Sequence, residues 1–119
     1  MKGLHIIADL YNCAKGDFLL SSAKLRELCV NACKNAGLTV LGDHFIQFDG
    51  ADGTQQGGST GAVVLAESHL AIHTFPESGT ATLNAYCCRP RAPAPWRALL
   101  GELLGARDVI ATEHPRGRA

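Results

Sequence analysis

Residues 62–77 read Ala62-Val63-Val64-Leu65-Ala66-Glu67-Ser68-His69-Leu70-Ala71-Ile72-His73-Thr74-Phe75-Pro76-Glu77. The first five residues are apolar without alternation, the pattern of a strand buried on both faces, and they lead directly into Glu67-Ser68. After the Glu-Ser bond, His69 and His73 fall on one face of an extended segment. Outward from this run, His5 to Leu10 alternates, with Leu4, Ile6, Ala8 and Leu10 on one face and His5, Ile7 and Asp9 on the other. Thr80 to Cys88 alternates too, setting Thr80, Thr82, Asn84, Tyr86 and Cys88 opposite Ala81, Leu83, Ala85 and Cys87.

Two helices interrupt the strands. Leu25, Leu28, Cys29, Ala32, Cys33 and Ala36 recur at helical spacing, with Ser21 or Ser22 to cap the start and Gly37 to end it. Trp96, Leu99, Leu100, Leu103 and Leu104 form a second apolar stripe, entered at Pro95 and closed by Gly105. Short strands are expected at Leu38 to Leu41, Phe45 to Phe48 and Asp108 to Thr112. A flexible loop is expected from Gly50 to Gly61, a connector from Arg89 to Pro95, and a polar tail from Pro115. The order predicts an α+β fold: a two-layer sandwich, an antiparallel sheet with helices packed on one face.

A chain of 119 residues holds one core, so residues 1–119 are expected to form a single domain. Eleven basic and eleven acidic residues balance, with no basic stripe, which argues against nucleic acid or an anionic membrane as partner. No apolar run approaches the roughly 20 residues of a membrane span, and Asp9 arrives too early for a signal-peptide core. The five cysteines, two of them adjacent, suit a reducing compartment, and a cytoplasmic protein is expected. No third ligand joins His69 and His73 at a suggestive spacing, so no metal is expected. Cys29, Cys33 and Cys87 fall on apolar faces and read as core thiols.

A Glu-Ser bond held in a turn can rearrange. The Ser68 hydroxyl attacks the Glu67 carbonyl, giving an ester in place of the amide. Elimination then releases the Glu67 carboxylate, and the dehydroalanine left behind hydrolyses to a pyruvoyl group. These steps need a base and an oxyanion donor, for which His73 and Thr60 are the candidates. A pyruvoyl ketone can form a Schiff base with a substrate amine and accept the electrons released with carbon dioxide. Cys88, on the polar face of its strand, is a candidate proton donor to the substrate carbon, because a thiol with a pKa of roughly 8.5 stays protonated at neutral pH.

The Glu67–Glu77 run resembles the self-cleavage site of the bacterial and archaeal S-adenosylmethionine decarboxylase proenzymes. The likeness extends to the opening His5-Ile6-Ile7-Ala8-Asp9-Leu10-Tyr11-x-Cys13, to Tyr86-Cys87-Cys88, and to Glu113-His114-x-Arg116-Gly117-Arg118. It implies cleavage into residues 1–67 (the beta chain) and 68–119 (the alpha chain), with a pyruvoyl cofactor made from Ser68 and no external one. It implies decarboxylation of S-adenosylmethionine to the aminopropyl donor of spermidine synthesis, by a cytoplasmic enzyme that is expected to be a homodimer. The family's processing residues fall on Glu67, Ser68, His73 and Thr60, and its catalytic cysteine on Cys88. Its ribose-binding glutamate falls on Glu77 and its adenine-stacking aromatic on Phe48. Phe75 stands where the family usually has Trp, Thr60 where it has Ser, and Arg89 where Gly is common. These departures leave room for a pyruvoyl-dependent ornithine or arginine decarboxylase on the same scaffold. A non-catalytic regulatory homologue is the remaining alternative, opposed by the intact Glu67, Ser68, His73 and Cys88.

Overall fold

The computed structural model describes residues 2–50, 56–87 and 104–117. Its elements run β1 (Lys2–Cys13), α1 (Gly16–Leu20), α2 (Ser22–Asn35), β2 (Val40–Asp49), β3 (Gln56–Leu65), β4 (Ser68–Phe75), a short 3-10 turn (Pro76–Ser78), β5 (Thr80–Cys87) and β6 (Ala106–Gly117). The six strands form one sheet in the order β2-β3-β4-β5-β1-β6, antiparallel at every pairing. The helices pack on one face, which makes the two-layer α+β sandwich that the sequence predicts.

The core follows from strand parity. Ile6, Ala8 and Leu10 of β1, Leu70 and Ile72 of β4, and Ala81, Leu83 and Ala85 of β5 all point toward the helices and are buried. Leu25, Cys29 and Cys33 of α2, which packs over β2 and β3, are each 0% exposed and complete that layer. The helix starts where the Ser21 hydroxyl accepts the Lys24 N–H and stops where Gly37 takes a φ of 79°. Thr74 ties α1 to the sheet: its hydroxyl donates to the Leu19 carbonyl at 2.8 Å and accepts the Ser59 N–H at 2.9 Å.

Five local expectations change. The Ala62–Ala66 run is buried on the helix side alone, at Val63 and Leu65, while Val64 is 52% exposed. The glycine-rich segment is not loop from Gln56 onward but strand β3, and residues 51–55 lie outside the described residues. Its glycines answer to close approach. A Cβ on Gly58 would stand 2.0 Å from the Thr74 carbonyl oxygen, and one on Gly61 would stand 2.1 Å from the Phe45 ring. The two short strands around Gly42-Asp43 are one strand, β2, with a pairing irregularity between Val40 and Gly42. The polar tail continues as strand to Gly117, because β6 lies along the edge of β1, where Pro115 costs no interior hydrogen bond. Gly16–Leu20, unassigned from sequence, forms helix α1. The Arg89–Pro95 connector and the second helix lie outside the described residues, save Leu104, which is fully buried.

Among the described residues, the opposite face of the sheet carries no helix. It mixes polar residues with exposed apolar ones: Ile7 45%, Ile46 43%, Phe48 42%, Val64 52% and Ile110 61% exposed.

Candidate active site

Leu65 pairs with Ser68, so Ala66-Glu67 is the two-residue turn of the β3–β4 hairpin. Tight hairpins normally place positive φ inside the turn. Here Ser68 carries it instead, at 149°, one of two non-glycine residues with positive φ among those described. A side chain held there stores strain on the order of 1–3 kcal/mol, at the bond the sequence marks for cleavage. The turn cannot easily relax. The Glu67 side chain is buried, at 1% exposed, and its Oε1 accepts the Thr39 N–H at 2.7 Å. The Ala66 N–H donates to the Thr39 carbonyl at 2.9 Å. The Glu67 carboxylate therefore clamps the turn, a role that sequence reading alone does not disclose.

The Ser68 hydroxyl lies 2.9 Å from His69 Nδ1, and His69 Nε2 lies 3.3 Å from Asn84 Oδ1. His5 and Tyr86 flank His69 with ring centroids at 6.3 Å each, and the Arg116 guanidinium stands 5.2 Å from the centre of the Tyr86 ring. The adjacency in sequence of Ser68 and His69 was visible, but Asn84 reaches them only through the β4–β5 pairing.

A second group forms at the far end of β4. The His73 ring centre is 4.5 Å from that of Phe75 and 5.8 Å from that of Phe48. Together with Glu77 they line a cleft of about 760 Å³. Thr60 sits beside His73 as its partner on β3. Both line a shallower cleft of about 360 Å³ on the open sheet face, which reaches across to Asn84 and His5.

Phe48, His73, Phe75 and Glu77 thus come together, with Thr60 adjacent. Ser68 does not join them. Five residue steps along the strand separate Ser68 from His73, about 17 Å at the rise of an extended chain. Cys87 is buried on the helix side, and Cys88, the candidate proton donor, lies outside the described residues. Burial pushes the Cys29 thiol up strongly and the Cys33 thiol to about 12, which suits inert core groups. No group of three or more metal-ligating side chains occurs among the described residues.

The sheet and its helices match the decarboxylases of one family. The family model described as S-adenosylmethionine decarboxylase matches residues 4–117. The chain is 46% identical over 117 residues to the S-adenosylmethionine decarboxylase proenzyme of Aquifex aeolicus, covering 97% of this chain and 81% of that one. It is 37% identical over 117 residues to the proenzyme of Syntrophomonas wolfei, covering 97% and 86%. The crystal structure of the adenosylmethionine decarboxylase from Aquifex aeolicus superposes with a TM-score of 0.82 at 36% identity, over 98% of this chain and 92% of that one. The chain belongs to the S-adenosylmethionine decarboxylase family.

Proposed function

We propose that this chain is a proenzyme that cleaves itself between Glu67 and Ser68 and then decarboxylates S-adenosylmethionine, as a homodimer, to supply the aminopropyl donor for spermidine. The observation that carries the reading is the strained φ of Ser68 at the tip of a hairpin clamped by Glu67. Strain in the peptide is relieved when its nitrogen leaves, so the fold favours attack by the Ser68 hydroxyl on the Glu67 carbonyl. Removal of the Ser68 α-hydrogen then expels the Glu67 carboxylate, and hydrolysis releases ammonia and leaves a pyruvoyl group at the new N-terminus. Once formed, that group supplies a ketone that captures the substrate amine and takes up the electrons released with carbon dioxide.

The remaining work falls to side chains. Glu77 accepts hydrogen bonds from the ribose hydroxyls, Phe48 and Phe75 offer faces to adenine, and Cys88 delivers a proton to the substrate α-carbon. His73 and Thr60 serve the elimination and the oxyanion. His73 stands about 17 Å from Ser68 along β4 and Thr60 is its neighbour on β3, so they reach Ser68 only from a second copy. A two-fold axis passing near Ala71, midway along β4, sets the partner's His73 against Ser68 and His69. The apolar residues exposed on the open sheet face are what such a pairing would bury. Two sheets packed face to face at about 10 Å would enclose the nucleoside between them.

Free thiols at Cys13, Cys29, Cys33 and Cys87 suit the cytoplasm. No described helix is long and apolar enough to cross a membrane. The test is direct. Purified protein should separate into fragments 1–67 and 68–119 on a denaturing gel while Ser68→Ala stays whole, and carbon dioxide release should be faster from S-adenosylmethionine than from ornithine or arginine. A wild-type chain that stays whole after long incubation rules the mechanism out.

A further inference from the structure

His69 takes no part in the chemistry above, yet it is the side chain in contact with the attacking atom. Its Nδ1 lies 2.9 Å from the Ser68 hydroxyl, whereas His73 lies at the other end of the strand. The hydrogen-bond chain selects the tautomer of the neutral ring. Asn84 Oδ1 can only accept, so the Nε2 that faces it at 3.3 Å carries the proton. Neutral imidazole then presents a bare lone pair at Nδ1, and the Ser68 hydroxyl donates into it. Register secures the arrangement: Asn84 pairs with Ala71, a residue too small to block its reach toward His69.

We propose that His69 is the base for the first step of self-cleavage and that Asn84 is the positioning residue that holds it in the Nε2–H tautomer. This rests on the self-cleavage reading and adds a residue to it. As the Ser68 Oγ–carbonyl bond forms, the hydroxyl proton passes to His69 Nδ1. As the Glu67–Ser68 C–N bond breaks, the same proton passes to the departing nitrogen, which becomes the free amine of the ester. No proton is gained or lost overall. The two histidines of the run then divide the labour: His69 forms the ester within its own protomer, and His73 serves the elimination that follows.

Among the described residues, few groups face His69. His5 of β1 and Tyr86 of β5 flank its ring, and Arg116 and His114 lie one strand further, on β6. β3 opposes it with Val64, and the Glu67 carboxylate is turned away to the Thr39 N–H. Protonation of the ring at Nδ1 removes the acceptor, so ester formation should slow at acid pH.

The experiment isolates ester formation from elimination. Hydroxylamine attacks the ester carbonyl, so scission in its presence leaves a hydroxamate on Glu67 and an intact Ser68 at the new terminus. Both are read by mass. His69→Gln, which cannot take the proton, should slow this scission by about 100-fold or more, with its fold checked by circular dichroism. Scission by His69→Gln at the wild-type rate overturns the proposal. Asn84→Asp provides a second, independent reading. A carboxylate at that position favours the protonated ring and should move the acid limb of the scission rate to higher pH, a shift that a merely structural residue would not cause. An acid limb unmoved in Asn84→Asp overturns the proposal even if His69→Gln fails to fold. Failure of the wild-type chain to cut with or without hydroxylamine is a different result, because it removes the self-cleavage reading itself.

Discussion

Mixed dimers give the sharpest test of how the two ends of β4 cooperate. Ser68 and His73 lie five residues apart on one extended strand, about 17 Å along the chain, against the roughly 3 Å that proton transfer requires. Side-chain rotation recovers only a few ångströms of that gap. If His73 is the base for elimination, it must act on the partner's Ser68. Ser68→Ala alone cannot cleave, and His73→Ala alone should cleave at least about 100-fold more slowly than wild type. Co-expressed with different tags and captured through both, the two variants yield heterodimers. In these, the Ser68 of the His73→Ala chain faces an intact His73 on the Ser68→Ala chain. Every His73→Ala chain in that fraction should then cleave at close to the wild-type rate, while the Ser68→Ala chains stay whole. The complementary site carries both lesions and stays silent. Mass spectrometry of the doubly captured fraction over time reads both chains at once. A His73→Ala chain that cleaves no faster in the heterodimer than in its own homodimer would refute the shared site. Wild-type cleavage by the His73→Ala homodimer would instead remove His73 from the mechanism.

Other consequences are open to measurement. Thr74→Val removes the hydrogen bonds to Leu19 and Ser59 and leaves both backbone groups buried without that partner; it should lower unfolding free energy in denaturant by about 1–3 kcal/mol. Cys29 and Cys33 have raised pKa values when folded, so stability should be level below about pH 9 and fall above it, by up to about 1.4 kcal/mol per pH unit for each thiol, in denaturant titrations at stepped pH. Phe48→Ala should raise the KM for S-adenosylmethionine at least about tenfold, since ring stacking on a base is worth about 1–3 kcal/mol, and should leave self-cleavage complete. Cys88→Ala should still cleave but lose most carbon dioxide release, whereas Cys87→Ala, a buried small side chain, should cost about 1 kcal/mol of stability and little turnover.

Much of the fold was legible because periodicity survives folding. The alternation in β1 and β5 sorts each residue to the correct face, and the helical spacing from Leu25 to Cys33 marks the buried stripe of α2. Glycine misled the reading of residues 56–61. Composition alone cannot tell a glycine that flexes from one that clears space for the Phe45 ring or the Thr74 carbonyl. The extension of β6 to Gly117 was hidden for a related reason. An edge strand with one side in solvent tolerates charge and proline, and so resembles a tail.

The sequence by itself determined the chemistry on offer: a Glu-Ser bond, two histidines on one strand face, a downstream cysteine and the run that carries the family likeness. Those are covalent facts, and spacing along one strand also determines which face each side chain takes. What only the tertiary structure decided is which groups can meet. Pairing β4 with β5 brings Asn84 to His69, and the Thr39 N–H holds the side-chain carboxylate of Glu67 at the turn. The straightness of an extended strand keeps His73 from the serine that it follows by five residues. The reason is geometric: strand spacing separates neighbours in sequence by more than 3 Å per residue, while sheet pairing joins residues far apart in the chain to within about 5 Å.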